Sequence, residues 1–161
     1  MKRKLAAVLL SLAAACTPTS PSRPQEAPKV TIRTDLEPLG KNMVLPAQVH
    51  SARWTVTPVV PPTEGVPGPT DLQLHAFLDL DDASLAQLGA PGAPLTVTLR
   101  EELAQELLPA AVLTEARRDQ KGKGLRLTGP SFNAQAFSRG AYHGRYALRL
   151  GSGVLISLQT R

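Results

Sequence analysis

A strict alternation of apolar and polar side chains over residues 71–80 is the strongest constraint on the fold. Successive side chains of a β-strand point to opposite faces of the sheet, so this spacing predicts a strand with one apolar face. That face is built from Leu72, Leu74, Ala76, Leu78 and Leu80. Phe77 falls on the other, otherwise polar face, next to His75. If a second layer covers that face, Phe77 belongs to the core; if not, Phe77 and His75 form an exposed docking spot.

The same alternation recurs along the chain and predicts further strands. These lie at residues 30–34, 53–57, 95–99, 125–128, 145–150 and 154–159. The last two flank Gly151-Ser152-Gly153, a sequence typical of a tight hairpin turn. The strands are therefore expected to pair antiparallel.

Two segments have helical signals instead. At residues 81–89, Asp81 suits an N-cap and Gly89 the position after the helix end. Residues 98–101 have the spacing of a capping box and open a second helix, which Pro109 ends. This helix overlaps the strand at 95–99, so the alternative for residues 95–118 is two long strands broken at Pro109.

One compact domain is expected over residues 30–161, since about 130 residues is a common domain size. Short strands and a proline-rich loop at residues 58–69 favour a mainly β fold. We predict an antiparallel β-sandwich or small barrel with one or two short helices. The alternative is an α+β sheet with covering helices.

The amino terminus has the layout of an export signal. Three basic residues at 2–4 precede an apolar run over residues 5–15, which ends on three alanines. As a helix this run rises only about 16 Å, roughly half the hydrocarbon thickness of a bilayer. Residues 1–15 are therefore predicted to be a cleaved signal peptide.

Cys16, the only cysteine in the chain, stands directly after this run. The string Leu-Ala-Ala-Ala-Cys at residues 12–16 resembles the lipobox of bacterial lipoproteins, and the resemblance covers the leader alone. It implies a leader cut before Cys16 and acyl chains, such as palmitate, on the cysteine. It places the protein in the cell envelope, on the outer or cytoplasmic membrane, with its domain outside the cytoplasm. The alternatives are ordinary secretion with a free thiol and an uncleaved anchor.

Residues 17–29 contain four prolines and almost no apolar side chains. Such a segment cannot form a packed core. As polyproline II it would span about 40 Å, so residues 16–29 are predicted to be a lipidated cysteine and a semi-rigid tether.

The two halves of the domain carry opposite charge. Residues 61–115 contain nine acids and one base, whereas residues 116–161 contain nine bases and one acid. One interpretation is pairing of these charges across neighbouring strands. The other is a basic face that binds an anionic glycan, lipid head group or envelope protein. Its residues would be Arg139, Tyr142, His143, Arg145, Tyr146 and Arg149; nucleic acid is not expected as a partner.

The sequence indicates no catalytic group. Ser152 lacks the spacing of a nucleophile elbow, and residues 122–124 lack that of a phosphate loop, so both are interpreted as turns. Pairs of acids such as Glu101 with Glu106 occur in any acidic chain of this length.

Metal ligands are not indicated either. The histidines at positions 50, 75 and 143 lie far apart in the sequence. The aspartates at 79, 81 and 82 lack the glycine and the closing glutamate of a calcium loop, and helix capping suits them better. We therefore expect no metal and no cofactor.

These patterns favour a membrane-anchored envelope lipoprotein whose β-domain binds or scaffolds another envelope component without catalysis. The alternative is a small envelope enzyme acting on cell-wall or exported material. The enzyme would require a concave pocket in which Glu, Asp, His or Ser side chains converge.

Overall fold

The computed structural model describes residues 30–59, 71–119, 122 and 124–160. Its elements, in chain order, are α1 (Leu36–Asn42), β1 (Val49–Pro58), β2 (Leu72–Leu80), α2 (Asp82–Gln87), β3 (Pro94–Leu99), α3 (Glu101–Leu107), α4 (Ala110–Glu115), β4 (Arg117–Arg118), β5 (Leu125–Phe132), a 3₁₀ helix (Ala134–Phe137), β6 (Tyr142–Leu150) and β7 (Gly153–Thr160). The predicted signal peptide, Cys16 and the tether lie outside the described residues, as does most of the proline-rich loop.

The strands pair antiparallel throughout, in the order β1-β2-β7-β6-β5-β3, with β4 also pairing with β5. Among the described strands this path ends at β1 and β3, so it does not close into a barrel. The prediction of a mainly antiparallel β fold with short helices is confirmed.

The long strand β5 joins two ladders. Its residues 125–130 pair with β3, whereas Ser131 and Phe132 pair with β6. The backbones come so close at Gly129 that a Cβ atom there would collide with the carbonyl oxygen of Arg149. Side chains of β5, β6 and β7 meet in one apolar cluster, through Leu127, Leu148 and Leu155. The arrangement is therefore sandwich-like, and its helices also fit the α+β alternative.

Both faces of the central strands are buried. Over the first face, a cluster around Trp54 and Ile156 is covered by α1, α2 and the 3₁₀ helix. Over the second face, a cluster around Phe77 and Leu155 is covered by α3, α4 and the β3–β5 ribbon. Phe77 is 4% exposed, so it belongs to the core.

Most predicted strands are present, and the hairpin of β6 and β7 turns at Gly151, which has a positive φ of 60°. The strand expected at residues 30–34 was wrong: Arg33 makes only an isolated bridge to Trp54. This segment is short because α1 begins at Leu36, while Val30 and Ile32 pack against the second cluster.

The helix predicted after Asp81 is confirmed. The Ser84 amide donates to the Asp81 carboxylate over 2.6 Å, and Gly89 has a φ of 88°. This hydrogen bond holds the pKa of Asp81 below its usual value.

Residues 95–118 contain both a strand and helices, so the alternative of two long strands was wrong. Strand β3 ends at Leu99 and α3 begins at Glu101, with Arg100 as N-cap. Thr98 is still in the strand, which is why the predicted capping box does not form. Pro109 ends one helix and precedes the next, since proline has no amide to donate and fits a helix start. Neither α1 nor α4 was predicted.

Candidate binding site

The structure divides the six residues predicted to form a basic face. Tyr142 packs against the first apolar cluster, whereas Tyr146 packs against the second. These clusters lie on opposite faces of the sheet, so the two tyrosines do not share a surface. Arg139 pairs with Tyr142 through a backbone bridge, and its guanidinium donates to the Gly40 carbonyl of α1.

The remaining three residues are exposed along β6. His143 and Arg145 flank Gly144, at an irregularity in the ladder with β7. Arg149 lies at the other end of β6, where its guanidinium approaches the Asp82 carboxylate to 4.0 Å. Arg145 precedes Tyr146 directly in β6, and Arg149 lies four residues further along the strand.

The two oppositely charged halves of the chain are in contact. In the part that the structure describes, Arg118 pairs with Glu101 over 2.9 Å, in addition to the pair of Arg149 with Asp82. Both arginines are largely exposed, and ion pairs of this kind stabilise a protein by about 0 to 1 kcal/mol. Each of these pairs joins a strand to a helix, so the two halves pair in part, but not across neighbouring strands as one interpretation expected.

A row of polar side chains crosses four strands on the second face. The direct cross-strand neighbours are Thr55 of β1, His75 of β2, Ser157 of β7 and Tyr146 of β6. Thr55, His75 and Ser157 are 2%, 5% and 0% exposed, respectively. These four residues, called the polar row below, continue the layer that begins with Phe77 and Leu155.

Hydrogen bonds hold one side of the polar row. The Gln73 side-chain amide donates to the Ser157 hydroxyl over 2.9 Å, and Tyr146 also bonds to Ser157. The His75 ring lies 6.5 Å from the Tyr146 ring, measured between centroids. The Nδ1 atom of His75 is buried and has no hydrogen-bond partner among the described residues. A buried polar atom without a hydrogen bond normally destabilises the folded protein, so this nitrogen is the unfavourable position in the row.

The surroundings keep both ionisable members of the row neutral. Loss of water contact, reinforced by the positive charges of Arg100 and Arg145, lowers the pKa of His75 from 6.5 to about 4. Burial raises the pKa of Tyr146 to about 12, although the bond to Ser157 and the charge of Arg145 act in the opposite direction. Near neutral pH the row therefore holds an uncharged imidazole and an uncharged phenol.

The neighbouring serine and histidine are the residue types of a nucleophile and its base. Ser157, however, has no exposed surface, and its hydroxyl oxygen accepts the hydrogen bond from Gln73. A substrate carbonyl cannot reach it in this conformation. The chemistry open to the row is positioning: the hydrogen bonds of Ser157 hold Tyr146 in place beside the exposed Arg145.

Sequence reasoning missed Thr55, Gln73 and Ser157 as partners of this site. His75 was assigned to the otherwise polar face of its strand, which is the available signal. The alternation does not reveal the order of the strands in the sheet. The four residues form one row only because the strands lie in the order β1-β2-β7-β6.

A shallow depression elsewhere is lined by Arg100, Glu101, Glu102 and Gly122. Its volume of 180 Å³ is below the roughly 300 to 1,000 Å³ of small-molecule sites. Within the described ranges, no group of three His, Cys, Asp or Glu side chains could hold a metal ion. No described helix has both the length and the apolar character needed to cross a membrane.

Compared with protein-family models, curated proteins and solved structures, the chain matches none of them.

Proposed function

We propose that this chain is a membrane-anchored lipoprotein of the cell envelope, and that its β-domain binds or scaffolds another envelope component without catalysis. The observation that carries the proposal is the leader that ends on the single cysteine, Cys16. Two or three acyl chains on this residue would hold the protein on a membrane, since each buried methylene contributes about 0.8 kcal/mol.

The exposed cations of β6 support a binding role. Arg145 and His143 flank Gly144 on β6, and both side chains are exposed. An arginine fork binds anionic oxygens. An anionic glycan or an acidic protein surface fits this combination.

The alternative, a small envelope enzyme, has one observation in its favour: Ser157 and His75 are direct neighbours, and the pKa of His75 is shifted. The burial of Ser157 argues against it. A hydrolase would need this hydroxyl exposed.

Replacing Cys16 with serine is expected to abolish incorporation of labelled fatty acid and to leave the leader uncut before residue 16. The serine hydroxyl is not the thiol that receives the lipid. The measurement is acyl labelling of wild type and Cys16→Ser in the same bacterial host. Undiminished label in the variant would reject the anchor.

Charge reversal at Arg145 tests the binding role. Among the described residues, its side chain makes no ion pair and no hydrogen bond, so Arg145→Glu should leave the fold intact. We expect capture of a partner from envelope extract to weaken at high salt, because salt screens the attraction between charges. Capture should also weaken in Arg145→Glu, because the variant replaces an attractive charge with a repulsive one.

The matched control is Lys41→Glu, which makes the same change of charge on α1. Capture should be unchanged in this control. Capture that ignores both salt and Arg145→Glu would contradict a charge-based site on β6.

A further inference from the structure

Two arginines lie directly opposite each other on the ribbon formed by β3, β5 and β4. Arg117 of β4 is the cross-strand partner of Arg126 of β5, and both side chains are exposed. Like charges at directly opposite positions repel and destabilise a strand pair. The chain nevertheless places them there.

No described carboxylate compensates this pair. The neighbouring arginine of β4, Arg118, forms an ion pair of 2.9 Å with the Glu101 carboxylate. Among the described ion pairs, none includes Arg117 or Arg126. The two guanidinium groups are therefore available to an external anion.

Hydroxyl groups complete the same face. Thr98 is the cross-strand partner of Arg126 on its other side, and Thr96 shares a hydrogen bond of 2.8 Å with Thr128. All three threonines are exposed. In the described residues, the outward side of the ribbon, called the arginine–threonine face below, thus presents two guanidinium groups and three hydroxyls and no acid. Its inward side is the buried apolar layer of Leu99, Leu125 and Leu127.

The shape of this face selects the kind of ligand. Its described residues lie on the outward surface of a three-stranded ribbon rather than in a cleft, and all of them are exposed. An array of phosphate groups spread over a plane can contact the arginines together, since guanidinium forks bind phosphate oxygens in pairs.

We propose that the arginine–threonine face docks on the anionic phospholipid head groups of the membrane that holds the protein. This inference rests on the proposed lipid anchor for its choice of membrane over a free polymer. A tether of thirteen residues keeps the domain within about 40 Å of the bilayer, so even a weak attraction acts at high local concentration.

The test measures whether the arginine–threonine face lies at the membrane surface when the mature protein is reconstituted into vesicles through its Cys16 lipid. An environment-sensitive dye is attached to the thiol of a Thr96→Cys variant. The dye does not label Cys16, because the thiol of that residue is acylated. We expect a head-group signal in vesicles of phosphatidylcholine mixed with phosphatidylglycerol, and its loss in phosphatidylcholine alone or at high salt.

The deciding variant combines Arg117→Gln with Arg126→Gln, and it should reduce the docking equilibrium roughly 25-fold, about fivefold for each arginine. Because both residues are exposed and repel each other, the variant should keep its thermal midpoint. The control combines Lys41→Gln of α1 with Arg139→Gln, whose guanidinium donates to the Gly40 carbonyl of α1; it also removes two charges and should dock normally.

Three results would overturn the proposal: docking that persists without Arg117 and Arg126, equal loss in the control, or a larger dye response to a soluble polyanion than to vesicles. A separate result would reject the lipid anchor alone. If the purified protein carries no lipid but still binds anionic vesicles from solution through these arginines, the docking face stands and the lipoprotein assignment does not.

Discussion

Replacing Phe77 with alanine is expected to lower the free energy of unfolding by about 3 to 5 kcal/mol, the usual loss for a buried phenylalanine. Phe77 is 4% exposed, and its ring lies against Gly153, where a Cβ atom would collide with it. Truncation would therefore leave a cavity that this glycine cannot fill. The measurement is denaturant unfolding of wild type and variant.

A loss of this size is a large share of the ~5 to 15 kcal/mol that stabilise a typical domain. If Phe77→Ala does not fold, Phe77→Leu gives the same test with a smaller loss, since leucine retains most of the apolar volume. The control is Val59→Ala, at a position that is 37% exposed, where little change is expected. A loss below about 1 kcal/mol in Phe77→Ala would indicate that the second face is open.

The stability of the domain is expected to fall as the pH drops from 6.5 to 4. His75 has a pKa of about 4 in the folded protein and 6.5 without its surroundings. Between these values the unfolded chain binds a proton that the folded chain does not, so acid favours unfolding. Neutral His75 makes its full contribution to the free energy of unfolding above pH 6.5. Roughly 3 kcal/mol of this free energy is lost by pH 4, and the loss levels off at lower pH.

The variant His75→Leu should remove most of this dependence, because leucine does not titrate. It also removes the buried Nδ1 atom that lacks a partner, so its stability at neutral pH should be close to that of the wild type. His143→Gln is the control, at an exposed histidine of β6, and should keep the wild-type slope. An equal slope in His75→Leu and wild type would contradict the burial of this imidazole.

Local patterns predicted the strands because burial of one face imposes a period of two. The segment at residues 71–80 and the hairpin around Gly151 are the clearest cases. Helix α3 begins at Glu101, the first residue of the run of helix formers. Its start is set by the end of β3 rather than by a cap at Thr98. The helices α1 and α4 are six or seven residues long, too short for a periodic signal.

The position of the surface charges was harder to predict than the fold. Tyr142 and Tyr146 are four residues apart, which in a regular strand would place both on one face. The ladder irregularity between Gly144 and Tyr146 shifts the alternation, so the two rings lie on opposite sides. The opposed pair of Arg117 and Arg126 depends on the pairing of β4 with β5, which the sequence does not specify.

The lipid anchor is tested by the intact mass of the protein purified from the membrane fraction of a bacterium that expresses it. We expect a chain that begins at Cys16 and carries the added mass of two or three acyl chains on that residue. A chain that retains residues 1–15, or one that begins elsewhere with an unmodified Cys16 thiol, would contradict it.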